Sequence, residues 1–302
     1  MSYRCGTRGS KLALWQTNTV IEHLKNTEIE TVIIKSEGDG TNTPLSESKT
    51  PGVFVTALRD ALLSNEVDFL VHSLKDLPAK PHPELTQVAI LKRENSADCL
   101  VSSLGKLDEL PEGTVVGTSS PRRAASIKRA RPDLKVSDIR GNVETRLRKV
   151  KEGEYGATVL AYAGLKRLGL EHEITEMLHP IEFIPAPGQG AIVVECRNKD
   201  KDLIKILEVL DSPEDRLLVT AERNVLVGLS ASCATPIGAS AEINNGVLKL
   251  SAELSDEITG ESAHVTERIK PGNEPLWDAE QLGLFVAERL LANPISQKAR
   301  LT

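Results

Sequence analysis

The sequence predicts an α/β protein whose last ninety or so residues form a smaller α+β unit of different character. Short strand-like runs alternate with helical patterns through the first two thirds, which implies α/β layers with largely parallel pairing. The pattern then changes to alternating runs around Asn-Asn-Gly, the signal of an antiparallel hairpin. At 302 residues the chain can bury ample core, and its length argues for two or three domains.

In order, the runs "TVIIKS", "FVTALRDALL" and "VDFLVHS" are followed by "TVVGT", "LKVSDI" and "ATVLAYAG". The stretch from Glu37 to Gly52 is rich in Gly, Pro, Ser and Thr without periodicity, which predicts a long loop, a candidate lid. From Pro213 to Leu229 the apolar positions Leu218, Ala221, Val225 and Leu229 recur at helical spacing. "ASAEINNGVLKLSAEL" reads as the hairpin and "ESAHVTERI" as a third antiparallel strand. A final helix is expected over roughly Asp278 to Leu291.

Composition narrows the function classes. The chain carries a formal net charge of −6, yet Gly117 to Lys151 holds eleven Lys/Arg against three Asp/Glu, so one segment collects the positive potential. Nine aromatic residues are too few for the stacking platforms of a single-strand nucleic-acid binder, and no helix-turn-helix, finger or RNP signature accompanies the basic run. No apolar run approaches eighteen residues and the N-terminus lacks a signal-peptide core, so a cytoplasmic protein without membrane contact is expected. Of the four cysteines, Cys5, Cys99 and Cys196 lie in strand-like runs and read as small buried hydrophobes, whereas Cys233 stands in the small-residue loop "LSASCATPIG". No C-x-x-C or H-E-x-x-H spacing exists and the six histidines are scattered, so no metal site is expected.

Three junctions share one design. In "TRGSKLALW", "GTSSPRRAA" and "DIRGNVETR" a strand ends, an N-cap follows (Ser10, Ser120, Asn142), and arginine is close by. Pro121 suits the first helical position. Cations near a helix N-terminus are disfavoured by a few tenths to ~1 kcal/mol, so Arg122 and Arg123 in a first turn demand a negative partner. With Arg8, Arg140 and Arg146 they read as forks for an anion, and junctions at the carboxyl ends of strands are expected to line one crevice. The nucleotide fingerprints are missing: there is no G-x-x-x-x-G-K-[ST], and "PAPGQGA" is not G-x-G-x-x-G. Several separate forks suit a ligand with several separate carboxylates. At the end of another strand, "VHSLKDLP" sets Asp76 beside Lys75 and ahead of Pro78. Asp76 is either a turn residue or a carboxylate that stabilises a cation or shuttles a proton.

"HSLKDLP", "GTSSPRRAA", "IRGNVETRL", "LAYAGLKRLGL", "PAPGQGAI" and "CATPIG", in this order and spread over most of the chain, closely resemble the porphobilinogen deaminase family, also called hydroxymethylbilane synthase. The resemblance implies a transferase that joins four porphobilinogen molecules head to tail with loss of ammonia, giving hydroxymethylbilane in tetrapyrrole and heme biosynthesis. It implies one dipyrromethane cofactor held by a thioether to Cys233. Loss of ammonia from an aminomethylpyrrole leaves an electrophile that a thiolate can capture. Asp76 matches the family's catalytic aspartate. Ser73, Lys75, Asp76, Thr118, Ser119, Ser120, Arg122, Arg123, Arg140, Gly141 and Gln189 match cofactor-binding positions. Arg8, Ser10, Arg146, Arg167 and Gly190 match substrate-binding ones.

The same resemblance implies three domains. The first two are α/β with mixed, mostly parallel sheets, bilobed like solute-binding proteins, spanning 1–93 with 190–210 and 94–189. The third, 211–302, is a small α+β domain with an antiparallel sheet that carries the cofactor cysteine. A monomer is expected. Where many relatives have a Gly-Gly-Lys-Gly-type lid, this chain has "SKTPGVFVTALR", with Lys49 the nearest cation. A non-catalytic carboxylate-binding protein of bilobed fold would need the arginines but have no use for Asp76 or Cys233; a nucleic-acid binder ranks third.

Overall fold

The three helix starts read from the sequence are capped by the residues named. Ser10 Oγ accepts from Ala13 N, Ser120 Oγ from Arg123 N and Asn142 Oδ1 from Thr145 N, and each cap residue has extended backbone, as an N-cap requires. Pro121 occupies the first turn of its helix. The computed structural model describes residues 2–25, 27–35, 53–231 and 235–297; the expected lid over 37–52, Lys49 and Cys233 lie outside them.

In chain order, residues up to 93 carry β1 (Ser2–Thr7), α1 (Lys11–His23), β2 (Glu28–Ile33), α2 (Val53–Leu63), β3 (Phe69–Ser73) and β4 (Leu85–Ile90). Next come β5 (Asp98–Ser102), β6 (Val115–Gly117), α3 (Pro121–Ala130), β7 (Lys135–Ser137), α4 (Val143–Lys151), β8 (Ala157–Ala161), α5 (Tyr162–Arg167) and β9 (Glu176–Met177). The rest holds β10 (Ile192–Arg197), α6 (Lys201–Leu207), α7 (Pro213–Gly228), β11 (Ile237–Asn244), β12 (Val247–Ser255), β13 (Ser262–Ile269) and α8 (Pro275–Leu291).

The chain divides into two compact units, residues 1–93 with 191–216, and 94–190 with 217–302. The first unit is built on a sheet of order β2-β1-β3-β10-β4. β1 pairs in parallel with β2 and β3, while β10 runs antiparallel to both β3 and β4. Cys5, Phe69, Val71, Val194 and Cys196 are buried on one face with Val20 of α1 and Leu203 and Leu207 of α6. Leu58 and Leu62 of α2 pack with Val67, Leu70 and Leu85 in a second cluster.

The second unit holds two sheets. One, of order β7-β6-β8-β5-β9, repeats the plan of the first unit's sheet: three parallel strands, then an antiparallel neighbour, then an edge strand antiparallel to that. The other is the antiparallel β11-β12-β13. Its hairpin turns on Asn245 and Gly246, with φ of +52° and +72°, the pair of positive values a two-residue type I′ turn needs. Leu248, Leu250, Ala252 and Leu254 of β12 pack against Ala279, Leu282, Val286 and Leu290 of α8 and Ala221 and Val225 of α7. α8 begins three residues earlier than its periodicity suggests because Pro275 takes its first turn. Among the described residues no helix is long and apolar enough to cross a membrane.

Candidate active site

Parallel pairing decides which loops meet. β1 and β3 are parallel neighbours in the first unit, so the loop with Arg8 and Ser10 and the turn after Ser73 leave the sheet at the same edge. β3 ends at Ser73 and continues as a 3₁₀ turn, Leu74–Asp76. Leu74 is fully buried and Leu77 nearly so, each worth about 1.5–3 kcal/mol as a buried apolar side chain. These two anchors fix the backbone on either side of Lys75, which is half-buried, and Asp76, which is exposed. The turn is tied inward as well, for Leu74 N donates to Ala191 O at 3.0 Å.

Ser73 is held by a residue the motifs did not flag. Gln16, buried on α1, donates from Nε2 to Ser73 Oγ at 2.8 Å, joining the helix capped by Ser10 to the strand that presents Asp76. One residue earlier, His72 Nε2 lies 3.6 Å from Glu195 Oε2. The same buried carboxylate takes the Arg59 fork at 2.9 and 2.7 Å.

In the second unit β6 pairs in parallel with both β7 and β8, which brings residues 118–123, 138–146 and the start of α5 to one sheet edge. Thr118, buried, donates its N–H to Ser137 O and accepts from Ser120 N on Oγ1 at 3.2 Å. Ser119 Oγ donates to Ile139 O at 2.5 Å, cross-linking the loops after β6 and β7. Arg140 Nε donates to Asp138 Oδ2 at 2.7 Å and stays half-exposed. Gly141 has φ +110°, and a Cβ there would stand 2.5 Å from Thr145 Cγ2, so only glycine fits the loop. Its carbonyl accepts from Arg146 Nε at 2.9 Å.

Arg122 and Arg123 are placed differently from the open forks the sequence suggests. Both are buried, and the anion they demand is internal. Arg122 Nη2 donates to Asp98 Oδ2 at 2.8 Å; Arg123 donates to Asp98 Oδ1 from Nη2 at 2.7 Å and from Nε at 3.2 Å. Gln189, also buried, donates from Nε2 to Asp98 Oδ1 at 2.8 Å and accepts from Arg123 Nη2 at 3.4 Å. Burial alone would raise the Asp98 pKa, but Arg122, Arg123 and Gln189 outweigh it and hold the carboxyl well below its ordinary value. Asp98 escaped the sequence reading because its partners lie 24 and 25 residues away; its one trace is an acid opening the apolar run "ADCLV".

Arg167 is buried and donates from Nη2 to Gly190 O at 2.6 Å. Burial pulls its pKa down to about 10, with Glu94 opposing. Gly190 has φ +86°, and a Cβ there would collide with Glu94 O, so this position also requires glycine.

The donor set of the second unit suits an acidic ligand. Arg146 is pushed below the ordinary guanidinium value first by burial and then by Arg123, with Asp138 opposing and Arg140 adding to the fall. Arg123 and Arg140 thus both act on Arg146 as like charges at the ends of β6 and β7, and carboxylates of a dipyrromethane would relieve that repulsion. The described cysteines do not compete for its thioether: Cys5, Cys99 and Cys196 are buried, and burial pushes the thiols of Cys99 and Cys196 up to about 12, far from a reactive thiolate.

Residues 3–205 match the family model described as "Porphobilinogen deaminase, dipyromethane cofactor binding domain", and residues 216–292 match "Porphobilinogen deaminase, C-terminal domain". The porphobilinogen deaminase of Leifsonia xyli is 46% identical over 304 residues, covering 98% of this chain and 92% of that one. That of Thermobifida fusca is 42% identical over 302 residues, covering 98% and 94%. Among solved structures, the periplasmic VFT2 domain of Bordetella pertussis BvgS aligns over 68% of this chain and 85% of its own, at 12% identity and a TM-score of 0.42. With both family models matched and close relatives aligned end to end, the chain belongs to the porphobilinogen deaminase family.

Proposed function

We propose that this chain condenses four porphobilinogen molecules head to tail into hydroxymethylbilane, with release of ammonia at each condensation, and that it does so with the residues described above. The observation that carries the reading is geometric: buried Arg122 and Arg123 share one carboxylate, Asp98, at the sheet edge where Arg140 and Arg146 also stand, a cationic set that suits a polycarboxylate. Porphobilinogen brings an acetate and a propionate with every ring.

Arg140 and Arg146 hold ligand carboxylates directly, as does Arg8 on the loop after β1. Arg122, Arg123 and Gln189 form the buried floor that Asp98 locks in place, and they offer the ligand positive charge and the donor capacity left by Asp98 and by the carbonyls of Ile184, Val159 and Ser96. Thr118, Ser119 and Ser120 shape the strand-to-helix turn, Gly141 lets Arg146 fold back on it, and Ser10, at the positive end of α1, adds a hydroxyl donor for an anion. Arg167 and Gly190 complete the substrate positions.

When bound through Cys233, the dipyrromethane supplies the pyrrole carbon at which the first new bond forms. The chain's own contribution to the chemistry falls to Asp76. Its exposed carboxylate stabilises positive charge on a pyrrole nitrogen, assists departure of ammonia and accepts the proton displaced from the ring carbon. Lys75 and Ser73 keep that turn in position.

This reading divides the chain into 1–93 with 190–210, 94–189, and 211–302, the last carrying Cys233. Separate apolar cores beneath the three sheets support the division. The protein acts as a monomer in the cytoplasm, where reducing conditions leave its thiols unpaired, without nucleic acid or membrane as partner. The test is turnover by the Asp76→Asn variant. Hydroxymethylbilane formation is expected to slow by at least ~10²-fold with the cofactor adduct still present, and a rate near that of the unaltered protein would remove Asp76 from the chemistry.

A further inference from the structure

Within the second unit, α3 is gripped by charge at both ends. Asp98 holds its first turn through Arg122 and Arg123. At its last turn, Arg129 Nη1 donates to Glu253 Oε1 at 2.8 Å and to Ser262 Oγ at 3.1 Å, Arg129 Nη2 donates to Glu182 O at 2.6 Å, and Lys128 Nζ donates to Glu257 O at 2.8 Å. Glu253 lies on β12 and is 1% exposed. Besides Arg129 it faces Ser255, whose hydroxyl donates to Oε1 at 2.6 Å, and His264 of β13, whose Nε2 is 2.7 Å from Oε2. Packing there is close, since a Cβ on Gly260 would stand 3.1 Å from Arg129 N and 3.3 Å from Ala125 O. Nothing in the reaction uses Glu253, yet it is a buried carboxylate placed against the helix whose other end bears the arginine floor.

We propose that Glu253 is a positioning residue: through Arg129 it fixes the far end of α3 and so sets where Arg122 and Arg123 stand at the near end. A ten-residue helix is about 15 Å long and moves as a rod, so loosening one end displaces the other. The charge of Glu253 also reaches Arg122, whose pKa it raises against a larger fall caused by burial. The inference rests on the reading that Arg122 and Arg123 serve a carboxylate ligand.

The test compares Glu253→Gln with the double variant E253M/R129M by hydrogen exchange and by kinetics. In E253Q, protection of the Arg123 and Ala124 amides in the first turn is expected to fall about tenfold although the substitution is at the other end of the helix, and KM for porphobilinogen is expected to rise about fivefold or more with kcat little changed. The double variant leaves no buried charge unpaired and is expected to recover the Tm of the unaltered protein while KM stays raised, because the clamp is still missing. Loss of protection confined to residues 128–131, or a native KM in the double variant, would overturn the proposal and reduce Glu253 to a stabilising contact. Hydrogen exchange needs no substrate, so a protein that failed to turn over porphobilinogen would refute the proposed function while this clamp was still judged on its own measurement.

Discussion

Asp98→Asn is the substitution whose cost the structure specifies best. The carboxylate is fully buried and takes donors from two guanidinium groups and an amide. An asparagine of the same shape keeps one acceptor, but its NH2 group must face either Arg122 Nη2 or the Arg123 and Gln189 donors, all now within 2.7 to 2.8 Å of an oxygen. Donor would meet donor, and two buried guanidinium groups would lose their counter-charge. Breaking a buried pair by removing one partner costs about 3–5 kcal/mol, and at about 2–4 °C per kcal/mol for a unit of this size the melting temperature should fall by about 6–20 °C. The assay is thermal unfolding followed by circular dichroism in a Cys233→Ser background, so that no adduct stabilises one protein more than the other. The sign with pH is also set. A carboxylate held below its ordinary value contributes stability that is complete above its unfolded pKa, about 3.9, and is lost as pH falls toward its native value. The gap between the parent and its Asp98→Asn variant should therefore be constant near neutrality and narrow below about pH 4. A difference of less than about 2 °C at pH 7, or one that widens in acid, would refute the reasoning.

Two further outcomes follow from individual contacts. Arg140→Ala should block cofactor assembly or chain growth, because Arg140 is half-exposed and spends only its Nε on Asp138; unchanged product formation from porphobilinogen would show that its other nitrogens meet no carboxylate. Gly190→Ala combines φ +86° with a Cβ that would collide with Glu94 O and should destabilise the protein by at least ~2 kcal/mol. An unfolding midpoint in urea equal to that of the parent would show that this loop yields without cost.

What could be read in advance was local. Ser10, Ser120 and Asn142 cap helices because a cap bonds two or three residues onward, and Asn245-Gly246 makes its turn because two adjacent residues decide it. The place of Arg122 and Arg123 in a first turn shows that they need an anion, but nothing local to them tells a ligand from a carboxylate of the chain. Asp98, the carboxylate they share, is brought close by the β5–β8 pairing and the packing of α3, neither of which leaves a mark within a short window of sequence. Gln16 on Ser73 and Glu253 on Arg129 were hidden for the same reason, at separations of 57 and 124 residues. Spacing alone leaves Asp76 open between turn and catalyst, and only its match to the family motif favours the catalyst. The structure adds that buried Leu74 and Leu77 leave this carboxylate exposed.

The central claim, a cysteine-anchored oligopyrrole cradled by arginine, is tested most directly by the mass of the intact purified protein and of its Cys233→Ser variant. The account predicts that the parent carries the mass of one dipyrromethane above its sequence and that the variant carries none. A parent at its bare sequence mass, or a variant that keeps the adduct on another residue, would contradict it.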